Sequence, residues 1–495
     1  MKDWHLLEVE SVLSDDYYRW YPPKQRPLLK LSRMQAFVYR RAHLRKISGN
    51  KANKRNSIVG HNKNTKRLAR SIITAAKSGK PIDHQSKFSK AVLLSKKKSS
   101  LFLDGLYPGR ISNWASIAAR IKSKSHSAIP IVKFSFLKDA KGTQRNLAKI
   151  AEAEATNLTA QIHFLDKHCL DVGAWLVLAA MRKDMAPIFT GGAISNQMSK
   201  VLDALGLTGP LRFSVNPKWS QEKDIWAFPI RTRRAAGATK SPTYQLEPQA
   251  KEKAGDSLCK AIDEWLHACA NQALTKSGRR LVKKITGECL DNAERHARRE
   301  HQNDGDWMLS GFMQKIPTEE GHAFRCHLAF LSVGSPVAET ILDCSDEIRA
   351  KMEHYCTRHV GKLSNHKFAD QHLRTIYALQ DTVTRDRNAS EEGRGGTGFR
   401  DIICLFWDLA GGEGDAMLSI VSGRTCLYID NRHRDAVFPE PDDPFNYWLN
   451  DHNSDLLPPA EDLLEELDTA FNGTLITMGL TLDVGYLERS ADANP

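Results

Sequence analysis

Charge is spread so unevenly along this chain that it divides the sequence before any motif is considered. No acidic residue occurs between Asp16 and Asp83, and the first 100 residues hold 24 Lys and Arg against 6 Asp and Glu. Because the whole chain carries a formal charge of only +13, the residues after position 100 are slightly acidic. A long stretch of one charge sign repels itself unless solvent or a partner neutralises it. The sequence therefore predicts a separate basic N-terminal region, residues 1–100.

The basic region has the composition of a polyanion-binding segment. Clustered Lys and Arg side chains release counterions from a phosphate backbone, and aromatic residues such as Trp20 and Tyr39 can stack on bases. Residues 19–98 are therefore a candidate site for nucleic acid or for an acidic protein. A solvated extension without a partner agrees with the composition equally well.

The remaining composition is that of a globular protein with two or three domains, since 41% of the residues are hydrophobic and 26% are charged. No run of about 18 uncharged apolar residues occurs, and the first five residues lack the apolar core of a signal peptide. We therefore expect a cytoplasmic protein with no membrane association. Nine cysteines without a Cys-x-x-Cys pair argue against a disulfide framework.

Hydrophobic patterning predicts an α/β fold. Between residues 101 and 214, strand-like and helix-like runs alternate, which predicts a small α/β domain. The predicted elements are strands at 129–136, 160–165 and 187–190 and helices at 173–181 and 194–205.

Two further segments complete the predicted domain organisation. Residues 215–258 are rich in proline, glycine and charge, which predicts a linker. A long helical pattern follows, and residues 259–485 are predicted to form the second domain. Within it, residues 417–429 are predicted as a strand, a turn and a second strand.

The most informative segment of the second domain lies at residues 284–297. Glu288, Asn292 and His296 recur at every fourth position, so on a helix they lie along nearly one face. A carboxylate there can take a proton from water, and a carboxamide oxygen can ligate Mg²⁺ that is shared with substrate phosphates. His296 or Arg295 could then reach a phosphate. The spacing alone favours a simpler interpretation, a solvated helix face.

A glycine-rich segment follows about one hundred residues later and runs into an apolar, helix-compatible stretch. Glycines let backbone N–H groups turn toward anionic oxygens, and the start of the next helix adds positive partial charge. These features predict a phosphate cradle, although glycine-rich segments are often only mobile loops. The candidate residues are Gly393, Gly395, Gly396 and Gly398.

Both motifs resemble those of GHKL (Bergerat-fold) ATP-binding domains, which occur in gyrase and in histidine kinases. Glu-x-x-x-Asn-Ala-x-x-His-Ala, starting at Glu288, resembles the N-box, and the glycine-rich segment resembles the second glycine box, which covers the triphosphate as an ATP lid. The strand that contains Thr474 resembles the terminal Gly-Thr strand. The resemblance spans roughly residues 260–485 and implies an α/β sandwich that binds ATP and Mg²⁺.

The resemblance also implies roles for individual residues. Glu288 would be the catalytic base, Asn292 the Mg²⁺ ligand, and Thr474 a nucleotide contact. The family's first glycine box has an Asp that receives the adenine amino group, but Ser332 stands at that position here, ahead of Gly334. A hydroxyl accepts a hydrogen bond more weakly than a carboxylate does.

The middle region has a weaker resemblance to STAS-like domains, because its second strand leads through Asp171 into an apolar helix. Where phosphorylatable members carry a serine, this chain has Val172, Gly173 and Ala174.

The resemblances together imply a bacterial regulatory protein that switches conformation with Mg²⁺·ATP and hydrolyses ATP slowly. Two alternatives remain at this level. One is a serine/threonine protein kinase of the anti-sigma type, which would use the same residues. The other is a nucleic-acid-binding regulator whose nucleotide pocket has decayed. Many GHKL ATPases form homodimers, so a homodimer is a further expectation.

Overall fold

The computed structural model describes residues 100–110, 127–156, 160–182, 184–185, 189–207, 211, 225–233, 247–296, 306–319, 321–361, 369–380, 383, 398–410, 416–431 and 446–489. The basic candidate site at residues 19–98 lies outside these ranges. Within the described ranges, no helix has the length and the apolar character needed to cross a bilayer.

The described residues between 100 and 211 form a small unit around a three-stranded parallel sheet in the order β1-β2-β3. Parallel strands need crossover connections, and helices provide them here. The predicted order of strand, helix, strand and helix after residue 160 is confirmed, whereas the helices at Leu101–Leu106 and Ala140–Thr156 were not predicted. The elements are α1 (Leu101–Leu106), β1 (Ser127–Ile131), α2 (Ala140–Thr156), β2 (Ala160–Phe164), α3 (Gly173–Arg182), β3 (Phe189–Ala193) and α4 (Asn196–Ala204).

Strand β1 is shorter than predicted. It ends at Ile131 rather than at residue 136, because Lys133 adopts a left-handed backbone conformation with φ of 51°. The Asp166 carboxylate accepts hydrogen bonds from the N–H groups of Lys133 and Phe134 at 2.9 and 2.8 Å. These backbone groups are therefore satisfied by a side chain instead of a neighbouring strand.

The large unit is built on a six-stranded mixed sheet in the order β5-β4-β7-β8-β10-β9, antiparallel except for the β4–β5 pair. Its elements are β4 (Ile225–Arg233), β5 (Glu247–Gln249), α5 (Lys251–Ala270), β6 (Gln272–Leu274), α6 (Lys276–His296), β7 (Asp306–Thr318), β8 (Gly321–Val333), α7 (Val337–Thr340), α8 (Asp346–His359), α9 (Asp370–Tyr377), α10 (Gly398–Leu409), β9 (Met417–Asp430), β10 (Leu464–Thr481) and β11 (Leu487–Arg489).

The predicted linker at 215–258 is wrong over much of its length. Strand β4 pairs with β7, its Phe228 side chain is only 1% exposed, and α5 already begins at Lys251. The prediction failed because the local composition is rich in proline, glycine and charged residues. The partner of β4, strand β7, lies far along the chain and leaves no local signal. The predicted boundary at residue 485 is also too early, since β11 pairs with β6.

The predicted strand, turn and strand at 417–429 is likewise wrong. These residues form one strand, β9, and the apparent turn is an irregularity at Gly423, which has φ of +58°. The register with β10 shifts on both sides of this glycine. A bulge of this kind bends a strand without ending it.

Apolar layers cover both faces of the six-stranded sheet. On one face, helices α5, α6, α8, α9 and α10 pack on alternate residues such as Phe330. On the other face, α1, α2 and α3 of the small unit pack on the intervening residues, for example Leu331. Residues Leu328 to Leu331 of strand β8 therefore form a continuous apolar run, which is expected of a strand that is buried on both faces.

Candidate functional site

Helix α6 carries the first candidate residues. Thr275 precedes the helix, and its hydroxyl accepts a hydrogen bond from the N–H of Gly278 at 3.1 Å, which satisfies one free donor of the first turn. Ile285, Cys289, Leu290 and Ala293 are buried against the core. Glu288 and Asn292 are half-buried on the adjoining part of the helix surface. His296 is the last residue of the helix.

Helix α10, which follows the glycine-rich segment, packs beside α6. A Cβ atom added to Gly398, its first residue, would lie 2.7 Å from Asn292 Oδ1 and 2.9 Å from Nδ2. Two turns closer to the start of α6, Lys284 Nζ lies 3.8 Å from Asp401 Oδ1. The two motifs predicted from the sequence therefore meet at a close contact between Gly398 and the Asn292 carboxamide. Gly393, Gly395 and Gly396 lie outside the described residues.

The Asn292 carboxamide has an unused donor. Its Nδ2 atom is buried and has no hydrogen-bond partner among the described residues. A buried polar group without a partner costs about 1–3 kcal/mol. Such a group in a native fold therefore calls for an explanation, and a bound ligand is one.

Glu288 has a raised pKa. Burial is the main cause, and the negative charges of Asp401 and Asp291 add to it, whereas Lys284 and Arg295 oppose the shift. A carboxylate whose pKa is raised above its ordinary 4.5 is a stronger base when it ionises. Asp401 and Lys284 were not predicted as site residues, because only the packing of α10 on α6 brings them near Glu288.

The other two carboxylates of this part of α6 have structural partners. Asp291 forms an ion pair with Lys251, while Glu294 accepts a hydrogen bond from Trp307 Nε1 at 2.9 Å and lies 3.3 Å from Arg233 Nε. Glu288 forms no ion pair with any described residue. It is thus the carboxylate of this group that stays available for chemistry.

A row of side chains crosses four strands of the sheet on the face that carries α6. Trp307 of β7 pairs with Ser332 of β8, Ser332 pairs with Thr474 of β10, and Thr474 pairs with Ser422 of β9. The Trp307 hydrogen bond to Glu294 joins the row to α6. The sequence predicted Ser332 and Thr474 as separate candidates, and the sheet makes them cross-strand neighbours.

Hydroxyl groups hold this end of the sheet together. Ser422 Oγ donates to the Gly473 carbonyl oxygen at 3.0 Å, accepts from the N–H of Val337 at 2.9 Å, and lies 3.0 Å from Thr474 Oγ1. Ser332 and Thr474 are half-buried, and Gly334 is buried at the turn after β8. The sequence analysis did not identify Ser422 as a site residue. Ser422 directly precedes Gly423, where the strand irregularity occurs.

The described residues contain no group of three or more His, Cys, Asp or Glu side chains arranged to hold a metal ion. A metal in this site would therefore need oxygen atoms from a bound ligand or from water in addition to Asn292.

The contact between Asn292 and Gly398 can be tested by stability. Gly398→Ala is expected to lower the free energy of unfolding by about 1–3 kcal/mol, because the methyl group would overlap the carboxamide. Gly287→Ala on α6 is the matched control, since no atom lies within 4 Å of its added Cβ. It should stabilise the protein by about 0.5–1 kcal/mol through helix propensity. Urea unfolding of both variants measures the difference; equal effects would contradict the contact.

The contributions of neighbouring charges to the raised pKa of Glu288 can also be tested. Asp401→Asn removes a neighbouring negative charge, so the pKa of Glu288 should fall toward its ordinary value. Lys284→Met removes an opposing positive charge and should raise that pKa further. Carboxyl ¹³C titration of glutamate-labelled protein measures both shifts, and the absence of the Glu288 signal in Glu288→Gln assigns it. Shifts of the same sign would refute this origin.

Comparison with known proteins adds no relative to this description: no protein-family model, no curated protein and no solved structure matches the chain.

Proposed function

We propose that this protein is an ATP-binding regulator of the GHKL type, in which Mg²⁺·ATP binds between α6, α10 and the Ser332–Thr474 end of the sheet. Binding would close the glycine-rich segment at residues 393–396 over the phosphates and alter contacts elsewhere in the chain. Hydrolysis would be slow and would reset the switch.

The observation that carries this proposal is the approach of Asn292 to Gly398. The two residues belong to motifs that lie about one hundred positions apart, and they were selected from the sequence for different reasons. Their side-by-side placement leaves a carboxamide with a free buried donor next to Gly398, the last residue of the glycine-rich motif. That combination suits phosphate oxygens, which accept hydrogen bonds and tolerate close backbone approach.

The order of elements supports the same proposal. Helix α6 is followed by the β7–β8 hairpin, by helices α7 to α9, by the glycine-rich segment with α10, and by β9 and β10. Strands β7, β8, β10 and β9 are neighbours in the sheet, and the helices lie on one of its faces. A GHKL domain requires this succession of motifs around one nucleotide.

The donor set fits Mg²⁺ that is shared with a nucleotide. Mg²⁺ usually keeps several waters and binds proteins through one or two oxygens plus substrate phosphates, and the Asn292 carboxamide supplies one such oxygen. When bound, Mg²⁺ would offset the negative charge that develops on the transferred phosphoryl group.

In this proposal Glu288 acts as the general base. A water molecule forms a bond to the γ-phosphorus while the bond from that phosphorus to the bridging oxygen breaks, and Glu288 takes the proton that the water loses. ADP and inorganic phosphate leave, and Glu288 returns its proton to solvent. The partial burial of Glu288 and the nearby Asp401 raise its pKa, which favours proton transfer.

Binding and turnover of ATP by site variants test the proposal. Wild-type protein should bind ATP only in the presence of Mg²⁺, and Asn292→Ala should weaken binding roughly 10- to 100-fold, as the loss of a hydrogen bond to a charged group does. Glu288→Gln should keep the affinity and lower turnover by about 10²–10⁴-fold. Calorimetry and a phosphate-release assay measure the two effects.

Two exposed positions supply matched controls. Asn196→Ala in α4 and Glu347→Gln in α8 remove the same chemical groups at solvent-exposed positions, so both should behave as wild type. ATP binding without phosphate release, combined with transfer to an added protein, would identify the kinase alternative instead. No binding of ATP at millimolar concentration would refute the proposal.

The serine at position 332 generates a separate prediction. Ser332→Asp should strengthen ATP binding by roughly tenfold, because a carboxylate accepts the adenine amino hydrogen about twice as strongly as a hydroxyl does. GTP, which presents a carbonyl oxygen at the equivalent ring position, should bind more weakly to the same variant. Affinities of wild type, Ser332→Asp and Ser332→Ala for both nucleotides measure this. Equal changes for ATP and GTP would exclude base contact by residue 332.

A further inference from the structure

Strand β10 leaves its ladder with β9 over a defined segment. Glu466 pairs with Thr425, Phe471 with Gly423, and Thr474 with Ser422, so the register shifts twice within a few residues. We call residues 467–473 the β10 bulge. The residues of this segment that lie between the paired positions lose their β9 partners, and their backbone groups need others.

Gln144 of α2 replaces the missing strand partner. Its Nε2 donates to the Thr469 carbonyl oxygen at 2.6 Å, and its Oε1 accepts from the Thr469 N–H at 3.1 Å. The side chain is only 1% exposed. One carboxamide from the small unit thus satisfies both backbone groups of a bulge residue, as a peptide group of a neighbouring strand would.

The rest of the β10 bulge is also held by the small unit. Phe471 is 3% exposed and packs on Phe102 of α1 with ring centroids 5.3 Å apart. Asn472 Nδ2 donates to the Leu101 carbonyl oxygen at 2.6 Å. At the solvent side, Arg145 Nε lies 2.5 Å from Asp468 Oδ2. The bulge is therefore docked on the small unit while its strand belongs to the large one.

The bulge ends directly at the candidate nucleotide site. Gly473 has φ of +132°, and an added Cβ would lie 2.0 Å from the Ser332 carbonyl oxygen. Thr474 follows and faces Ser422 across the ladder. The path of the bulge thus sets where Thr474 lies relative to Ser332 and Ser422.

We propose that Gln144 is a positioning residue for Thr474, and that the small unit regulates the nucleotide affinity of the large unit through the β10 bulge. The nucleotide part of this inference rests on the proposed function. A signal that loosens α2 from the bulge would weaken nucleotide binding. Since coupling between sites is reciprocal, bound nucleotide would in turn hold α2 more firmly on the bulge.

Gln144→Met tests this inference, because methionine has a similar length but forms neither hydrogen bond. Without nucleotide, amide exchange should accelerate from Thr469 through Leu475. With Mg²⁺·ATP, the dissociation constant should rise roughly tenfold, a typical size for coupled sites. Arg145→Ala is the control, since it removes an exposed contact to the same bulge and should change neither quantity. Gln144→Asn keeps an uncharged carboxamide on a side chain one methylene shorter and should accelerate exchange of the same amides, which provides a readout if the methionine variant does not fold.

The outcomes separate the two proposals. Faster exchange confined to Thr469, or unchanged ATP affinity in a variant whose bulge exchanges faster, would overturn the regulatory inference. If wild-type protein binds no nucleotide, the proposed function fails, and exchange at Gly473–Leu475 still decides whether Gln144 positions Thr474. Acceleration there in both Gln144 variants, but not in Arg145→Ala, would support the positioning role in either case.

Discussion

Burial of the six-stranded sheet on both faces is the constraint on which the rest of the structure depends. Each central strand must supply one set of side chains to the helices and the alternate set to the small unit, so a slip of one residue would exchange the two sets. Strand β9 contains such a slip: Ile420 and Leu427 both face the helices although their positions differ in parity. The irregularity at Gly423 accommodates the change. Opposite this irregularity, the β10 bulge contacts the small unit.

The same constraint explains why helix α3 is buried on all sides. All of its residues from Gly173 to Arg182 are buried, since the helix lies between the small sheet and the back of β8 and β10. Gly173 approaches Thr477 so closely that an added Cβ would lie 2.2 Å from the threonine hydroxyl oxygen. A helix that is apolar on all sides is stable only when it is covered on all sides. The small unit and the sheet therefore depend on each other for the burial of this helix.

Local patterns in the sequence predicted the mixed α/β class, three strands and two helices of the small unit, and the common helix face of Glu288 and Asn292, but not helices α1 and α2. These features depend on spacing within one element. Strand β4, the cross-strand row at Ser332 and the partnership of Gln144 with Thr469 were not predicted, because each depends on residues brought together over long sequence distances. The position of Asp401 near Glu288 was not predicted for the same reason. The glycine-rich segment was visible as a pattern, but its relation to Asn292 required the packing of α10 on α6.

The arrangement around Asn292 and Glu288 is poorly explained by stability alone. An apolar residue at position 292 would avoid an unpaired buried amide, and a neutral residue at 288 would avoid an ionised group that burial and Asp401 both disfavour. Neighbouring carboxylates on α6 are stabilised by lysine, arginine or tryptophan, so this helix readily accommodates paired charges. Local conflicts with stability tend to concentrate at functional sites. In the proposed function, a phosphate oxygen would accept the hydrogen bond that Asn292 lacks, and the role of Glu288 as a base would account for a carboxylate at a position that disfavours its charge.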